Sequence, residues 1–326
     1  MNNVEISFSL SIVVPVYNGA ASVPILVGAL AQLEVPGGLE IVLVNDCSAD
    51  NSLDVCRELC RRNTVALTLV NLARNYGEHN AVMAGLNHAR GAYIITMDDD
   101  LQNSAEDVVP LWRHARDNNY DVVYTCYPEK KHEAWRNLGS RFTNWCADHV
   151  LEKPKGLYLS SFRCMSAFLA RELVHHNGPF PYVDGLIMQI TQRIGQVQVN
   201  HQPRAEGDSN YTIPRLLRLF FSMLLNFSVI PLRIASLVGI CTAMLGGVGF
   251  CWVLMEALLS KRIPQGWASA ISATLLLAGM QLLMLGIIGE YLGRLFLTIN
   301  KRPQFVVRDV ERNVKAALPA DGESRL

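Results

Sequence analysis

Short runs of β-branched and long apolar residues alternate with stretches of helical spacing through the first part of the chain. Ser9 to Val16 is such a run, and a helical stretch from about Ser22 to Leu33 follows it. Leu39 to Val44, Val65 to Leu72, Tyr93 to Met97 and Asp121 to Cys126 repeat the pattern, with helices predicted near 51–62, up to about Arg90, and from about Ala105 to Asp117. Strands that alternate with helices in this way predict an α/β domain built on a mostly parallel sheet with right-handed crossovers. Beyond it the pattern predicts an amphipathic helix from His132 to Val150, a strand near Phe162 to Met165, helices near 170–176 and 183–194, and an edge strand from Gln196 to His201.

The pattern then changes. Thr212 to Phe227 is apolar on one side with Arg215 and Arg218 on the other, which suits a helix lying in a membrane interface. Ile234 to Met255 and Ala268 to Gly289 carry no charge, and each is long enough to cross a bilayer core, which takes about 20 residues. Lys261 and Arg262 lie between these two spans, whereas Arg215, Arg218 and Arg233 precede them and Arg294, Lys301, Arg302 and Arg308 follow. The positive-inside rule therefore puts both termini and the α/β domain on the cytoplasmic side of the inner membrane. The expected division is an α/β domain over 1–210, an interfacial helix over 211–232, a transmembrane hairpin over 233–296 and a cytoplasmic tail over 297–326.

Composition agrees with a chain that is part soluble and part membrane. Half of the 326 residues are hydrophobic and only 18% are charged. The apolar run from Phe8 to Tyr17 has no basic segment before it and is interrupted by Pro15, so it reads as a strand and not as a signal peptide. The formal net charge is zero, which gives no support for nucleic-acid binding. None of the eight cysteines forms a Cys-x-x-Cys pair and the eight histidines show no ligand spacing, so neither set predicts a zinc site. Gly239, Gly246, Gly247 and Gly249 would let membrane helices approach closely and point to a homo-oligomer.

The candidate chemistry sits where the predicted strands end. Asp98, Asp99 and Asp100 close the fourth strand and Gln102 follows. On an extended chain Asp98, Asp100 and Gln102 share one side and Asp99 takes the other. Three oxygen ligands on one side suit Mg²⁺ or Mn²⁺, with phosphates to complete the shell. Taken alone the triplet reads as a solvated acidic loop before a helix capped by Ser104. It does not stand alone, because Tyr17-Asn18-Gly19 follows the first strand, Asn45-Asp46-Cys47-Ser48-Ala49-Asp50 the second, and Arg74-Asn75-Tyr76-Gly77 the third. In open α/β sheets ligands bind along this C-terminal edge.

Pro15-x-Tyr17-Asn18, Asp46-x-Ser48-x-Asp50, Asn75-Tyr76-Gly77 and Asp98-x-Asp100-Leu101-Gln102 together resemble the family 2, inverting, GT-A-type (Rossmann-like) glycosyltransferases. With the two C-terminal spans, the chain is similar to the branch that moves a sugar from a nucleotide onto a polyprenyl phosphate, and the likeness runs from about Ser9 to Val307. The resemblance implies that Pro15, Tyr17, Asn18 and Asp46 form the nucleotide pocket, with Asp46 on the base, uridine preferred over guanosine. It implies that Asp98, Asp100 and Gln102 hold the metal and that Asp98 also faces the nucleotide. It assigns the acceptor phosphate to Arg136, Ser140, Arg204, Ser209 and Arg215, with Arg204 in an Arg-x-x-Gly-x-Ser-x-Tyr element ending at Tyr211. Asp98, Asp100, Arg204 and Ser161 become the catalytic set.

The departures are specific. Asn45 replaces the first acid of the usual Asp-Asp pair, Gly19 stands where glutamate is common, Tyr127 where an arginine is often found, and Asn210 where lysine is usual. Ser161 falls where relatives tend to carry an aspartate, so Ser161 is expected to position a substrate and not to act as a base. A processive polysaccharide synthase would need a Gln-x-x-Arg-Trp element, which Gln192-Arg193-Ile194-Gly195 does not supply. From another class, a silent membrane module that binds nucleotide sugar or docks a flippase would explain the departures as lost activity, but it leaves the acidic set at Asp98 and Asp100 without a role.

Overall fold

The computed structural model of the chain describes residues 8–62, 65–126, 154, 156–176, 178, 181–199, 230–259, 266–300 and 303–313. Two compact units divide it, one of Met1–Asn210 with Lys301–Leu326, the other of Tyr211–Asn300.

In the first unit the elements run β1 (Phe8–Val16), α1 (Ser22–Leu30), β2 (Leu39–Asn45), α2 (Ser52–Arg62), β3 (Ala66–Leu72), α3 (Glu78–Leu86), β4 (Gly91–Thr96), α4 (Val108–Asp117), β5 (Val122–Cys126), β6 (Arg163–Ser166), α5 (Ala167–Val174), α6 (Val183–Ile190) and β7 (Ile194–Gln198). β8 (Val307–Arg312) joins the same sheet from the far end of the chain. The eight strands stand in the order β7-β5-β6-β4-β1-β2-β3-β8. β2 and β3 are buried at every position, as their unbroken apolar runs require of strands covered on both faces. Leu10, Ile12, Val14, Leu26, Leu30, Ile41, Leu43, Leu111 and Phe162 belong to the main core.

The sheet is mixed, where the sequence pattern predicts a mostly parallel one. β3, β2, β1 and β4 form a parallel centre, and β7 runs parallel to β5. β6 is antiparallel to both β4 and β5, and β8 is antiparallel to β3. Strand direction is not written in hydrophobic spacing, since both kinds of ladder share a period of two. Boundaries also move. α5 begins three residues before the predicted start at Ala170, capped by the Ser166 hydroxyl, which accepts from the Leu169 N–H. α6 stops at Ile190, and β7 starts at Ile194, before the predicted Gln196. The predicted helices over 132–150 and 212–227 lie outside the described residues.

A buried ionic knot closes the other end of the sheet, away from the strand termini that carry the acids. Glu40 on β2 is fully buried, accepts from the Ser11 hydroxyl at 2.8 Å and takes two bonds from the Arg90 guanidinium at 2.8 and 3.0 Å. Arg90 N–H adds a further bond to the carboxylate. Three neighbouring strands are thereby pinned at one point.

In the second unit, α7 (Ile230–Leu259) and α8 (Trp267–Ile299) are continuous helices of 30 and 33 residues that contain the two spans expected from the sequence. Thr242 on α7 donates to the Met280 sulfur on α8 at 3.4 Å, and Gly239 faces Met284. Gly246 and Gly249 face open space. Large apolar side chains such as Leu245, Trp252 and Leu282 stand exposed. Among the described residues one segment, Leu277–Ile299, is long and apolar enough to cross a membrane by length and composition, and Ala235–Gly246 is a shorter apolar stretch.

Arg90→Ala leaves the Glu40 charge buried without its cation, and a stability loss of about 3–5 kcal/mol is expected. Thermal unfolding of the full chain in detergent measures it, and an unchanged melting profile would show that the knot contributes little.

Candidate functional site

β1 has β2 on one side and β4 on the other, so the chain leaves it first in one direction and later in the other. Such a switch point opens a crevice at the C-terminal ends of the two strands. Tyr17 and Asn18 leave β1 there, and Asp98 to Gln102 leave β4. Asp46 and the Asn75–Gly77 turn stand at the ends of β2 and β3 beside them.

Hydrogen bonds tie these loops to one another. Asn18, at φ 56, donates its N–H to the Ser48 hydroxyl, and its side-chain oxygen accepts from Ala49 N–H at 2.9 Å. Asp50 accepts from Ala20 N–H and, on its other oxygen, from Ser52. These bonds hold the Asp50 carboxyl below its usual range although burial acts the other way. Asp46 is buried and takes the Tyr76 N–H on one oxygen at 2.7 Å and the Gly77 N–H on the other at 2.8 Å. Burial nevertheless pushes its pKa up against those two bonds. Gly77 sits at φ 90, which a side chain would strain, and opens α3. Asp46 therefore fixes the Asn75–Gly77 turn at the end of β3. Pro15 is half-buried opposite Val44, and Tyr17 is half exposed with a relative accessibility of 52%.

The acids after β4 meet different partners, and Leu101 at φ 61 interrupts the extended chain that the predicted alternation assumes. Asp99 turns back under the β1 loop, where a Cβ on Gly19 would come within 2.0 Å of its Oδ2. That oxygen is buried with no hydrogen-bond partner. Burial first, and then the charges of Asp98 and Asp100, push the Asp99 pKa up to about 7, with the Tyr17 N–H pulling the other way. Gly19 thus makes room for a carboxyl that a glutamate at this position would displace. Asp98 accepts the Ser161 hydroxyl proton at 2.6 Å. Asp100 accepts from Gln102 N–H at 3.1 Å across Leu101, which is held at φ 61. A non-glycine residue there costs about 1–3 kcal/mol, a strain that the turn must recover elsewhere.

Sequence reasoning missed Glu78 and the buried group behind it. Glu78 is open to solvent on one side but is otherwise surrounded by protein, as a side chain lining a cleft would be. Loss of water around it, and then the Asp98 charge, push its pKa up to about 7, with Arg163 opposing. Arg163, two residues after Ser161, is buried and ion-paired with Asp184, which also accepts the Tyr124 hydroxyl at 2.9 Å. Burial works against the Arg163 charge, but Asp184 more than offsets it, so the guanidinium stays charged. An acid opening a helix and an arginine in a short strand carry no distinctive sequence signal.

Asp98 and Asp100 with the amide oxygen of Gln102 are a hard oxygen donor set. Among the described residues no three His, Cys, Asp or Glu side chains are gathered so as to hold an ion alone. The residues present fit a Mg²⁺ or Mn²⁺ whose shell a ligand's phosphates complete. Arg136, Ser140, Arg204, Ser209 and Arg215, together with Tyr127 and Asn210, lie outside the described residues.

Comparison with known proteins places residues 11–176 on the model of Glycosyl transferase family 2 and residues 230–295 on that of the GtrB C-terminal hairpin. The undecaprenyl-phosphate 4-deoxy-4-formamido-L-arabinose transferase of Pseudomonas aeruginosa is 34% identical over 325 residues, covering 95% of this chain and 93% of that protein. The protein of the same name from Aeromonas hydrophila is 30% identical, with 99% of both chains covered. Among solved structures, glucosyl-3-phosphoglycerate synthase from Mycobacterium tuberculosis, with Mn²⁺, UDP-glucose and phosphoglyceric acid, aligns over 67% of this chain and 78% of its own with a TM-score of 0.50 at 16% identity. That likeness concerns the fold.

Asp46→Asn would set an amide NH₂ against either the Tyr76 or the Gly77 N–H. A loss of about 1–3 kcal/mol is expected for the donor left unsatisfied, together with faster amide exchange at Tyr76 and Gly77 than in the unmutated chain. Exchange that stays as slow would show that Asp46 does not hold the turn.

Proposed function

The chain belongs to glycosyl transferase family 2, and from that premise we propose that it moves a sugar from a nucleotide diphosphate, preferably of uridine, onto undecaprenyl or another polyprenyl phosphate at the cytoplasmic face of the inner membrane. The observation that carries this reading is near full-length identity of 30–34% to transferases named for undecaprenyl phosphate, together with the hairpin match. In this reading α7 and α8 are two transmembrane helices, Thr212 to Phe227 lies in the interface, and the lipid-linked product goes on to modify a surface glycan or lipid. Gly246 and Gly249, which face open space, suit contact with a second copy.

The reaction joins an acceptor phosphate oxygen to the anomeric carbon as the bond from that carbon to the nucleotide diphosphate breaks, with inversion. A phosphate monoester has a second pKa near about 6, so the acceptor is largely a dianion at neutral pH and needs no protein base. It needs placement and screening. Asp46, Pro15, Tyr17 and Asn18 frame the base and ribose, with Asp46 using lone pairs that Tyr76 and Gly77 leave over. Asp98, Asp100 and Gln102 would hold the divalent ion, which when bound offsets the charge growing on the departing diphosphate. Ser161 donates to Asp98 and so orients that carboxylate. Arg204, Arg136, Ser140, Ser209 and Arg215 receive the acceptor phosphate through charge-assisted bonds.

The test incubates purified chain in detergent with undecaprenyl phosphate, Mg²⁺ or Mn²⁺ and a panel of nucleotide sugars, and follows lipid-linked product by mass spectrometry. Metal-dependent product that Asp100→Asn abolishes is expected. Nucleotide-sugar binding without turnover on any donor would favour the silent membrane module. Ser161→Ala should lower kcat by about ten- to a hundredfold, the worth of one charged hydrogen bond. Complete loss of turnover with both substrates still bound would show that Ser161 does more than orient Asp98.

A further inference from the structure

We infer that β8, the strand after the helical hairpin, positions the nucleotide loop through a polar relay that starts at Asp309 and passes through Asn71 and Asn45 to Ser48. Each link is a hydrogen bond. The Asn71 amide NH₂ donates to Asp309 at 2.8 Å, the Asn45 NH₂ donates to the Asn71 oxygen at 3.0 Å, and the Asn45 oxygen accepts the Ser48 backbone N–H at 3.3 Å. Ser48 in turn accepts from Asn18 N–H, whose side chain returns a bond to Ala49. Asn45 and Asn71 are buried, with exposures of 1% and 4%, so water is a poor substitute for any of these partners.

The direction of the relay is fixed from its ends. An ionised carboxylate only accepts, so Asp309 obliges Asn71 to present its NH₂ and to turn its oxygen toward position 45. Position 45 must then donate to Asn71. At the other end the Ser48 N–H only donates, so position 45 must also accept. An amide does both, and a carboxylate does not. Arg57 holds Asp309 in place from α2, bonding it at 3.4 Å and Glu311 at 2.7 Å. The departure at Asn45 from the Asp-Asp pattern is thereby explained, because the negative charge of this group sits on β8.

The inference rests on the nucleotide-sugar reading and is tested by a double-mutant cycle on the full chain in detergent, with uridine diphosphate and Mg²⁺ as the probe and calorimetry as the readout. Asn45→Asp would place carboxylates on both sides of Asn71, and binding should weaken by about tenfold, one lost bond's worth. Asp309→Asn alone should weaken it about two- to threefold, because the new amide can still offer an oxygen to Asn71 but then turns its NH₂ toward Arg57. Together the two changes reverse the relay with every group paired. The carboxylate then at position 45 accepts from Ser48 and Asn71, and the amide then at position 309 donates to Asn71 while its oxygen accepts from Arg57. The double variant should return to within about threefold of the unmutated chain, the coupling expected of groups in one network. Once the donor sugar is known, the same pattern should appear in its KM while kcat stays within about twofold, which general loss of structure would not produce. Unchanged binding in Asn45→Asp, or a double variant no better than Asn45→Asp, would overturn the relay. Failure of the unmutated chain to bind either uridine or guanosine diphosphate would instead overturn the nucleotide reading beneath it.

Discussion

The site depends on keeping several carboxylates together at one edge of a sheet. Two unit charges about 4 Å apart repel by about 4 kcal/mol at an effective dielectric of 20, a large fraction of a domain's net stability. The fold meets this in two ways. Backbone N–H groups converge on Asp46 and Asp50, and Ser161 donates to Asp98. Asp99 and Glu78, pushed up to about 7, are partly neutral near physiological pH, which lowers the charge around Asp98 and Asp100. An edge of this kind attracts a cation and the phosphates that travel with it, which is the physical link between the parallel centre of the sheet and glycosyl transfer.

Much of the parallel centre was legible because its strands are buried on both faces and their apolar runs are unbroken. The strand-end motifs were legible for the same reason, since a run that stops at Asp46 or Asp98 marks both the strand's end and the crevice. What each acid does was less so. Asp46 reads from sequence as a ligand for the base, and the structure shows it first as the anchor of the Tyr76–Gly77 turn. Ser161 reads as a group that positions substrate, and its proton goes to Asp98.

The flanks of the sheet were the least legible. β6 has only four residues, and one of its buried positions is Arg163, a charge made tolerable by Asp184, which is distant in sequence. β8 reads Val-Arg-Asp-Val-Glu-Arg, four charges in six residues without a strand's period of two, and falls in the segment expected as a cytoplasmic tail. It is a strand because Asp309 and Glu311 face Arg57, and Asp309 also meets Asn71, all distant in sequence. Local pattern records what a segment prefers, whereas an edge strand of this composition is decided by partners more than 200 positions away.

A departure from a family's motif has two opposite meanings that sequence alone does not separate. Loss of an acid in a decaying site leaves its former partners unsatisfied. At Asn45 the partners are all satisfied, and they are satisfied because position 45 is an amide: Ser48 needs an acceptor and Asn71 needs a donor. At Gly19 the reason is steric, since the space a larger residue would fill holds Asp99, whose Oδ2 is buried there. The contacts at Asn45 compensate for the missing acid, so that departure is no reason to read the chain as inactive. The charge that the motif usually carries on β2 sits two strands and two relay steps outward, at the edge of the sheet.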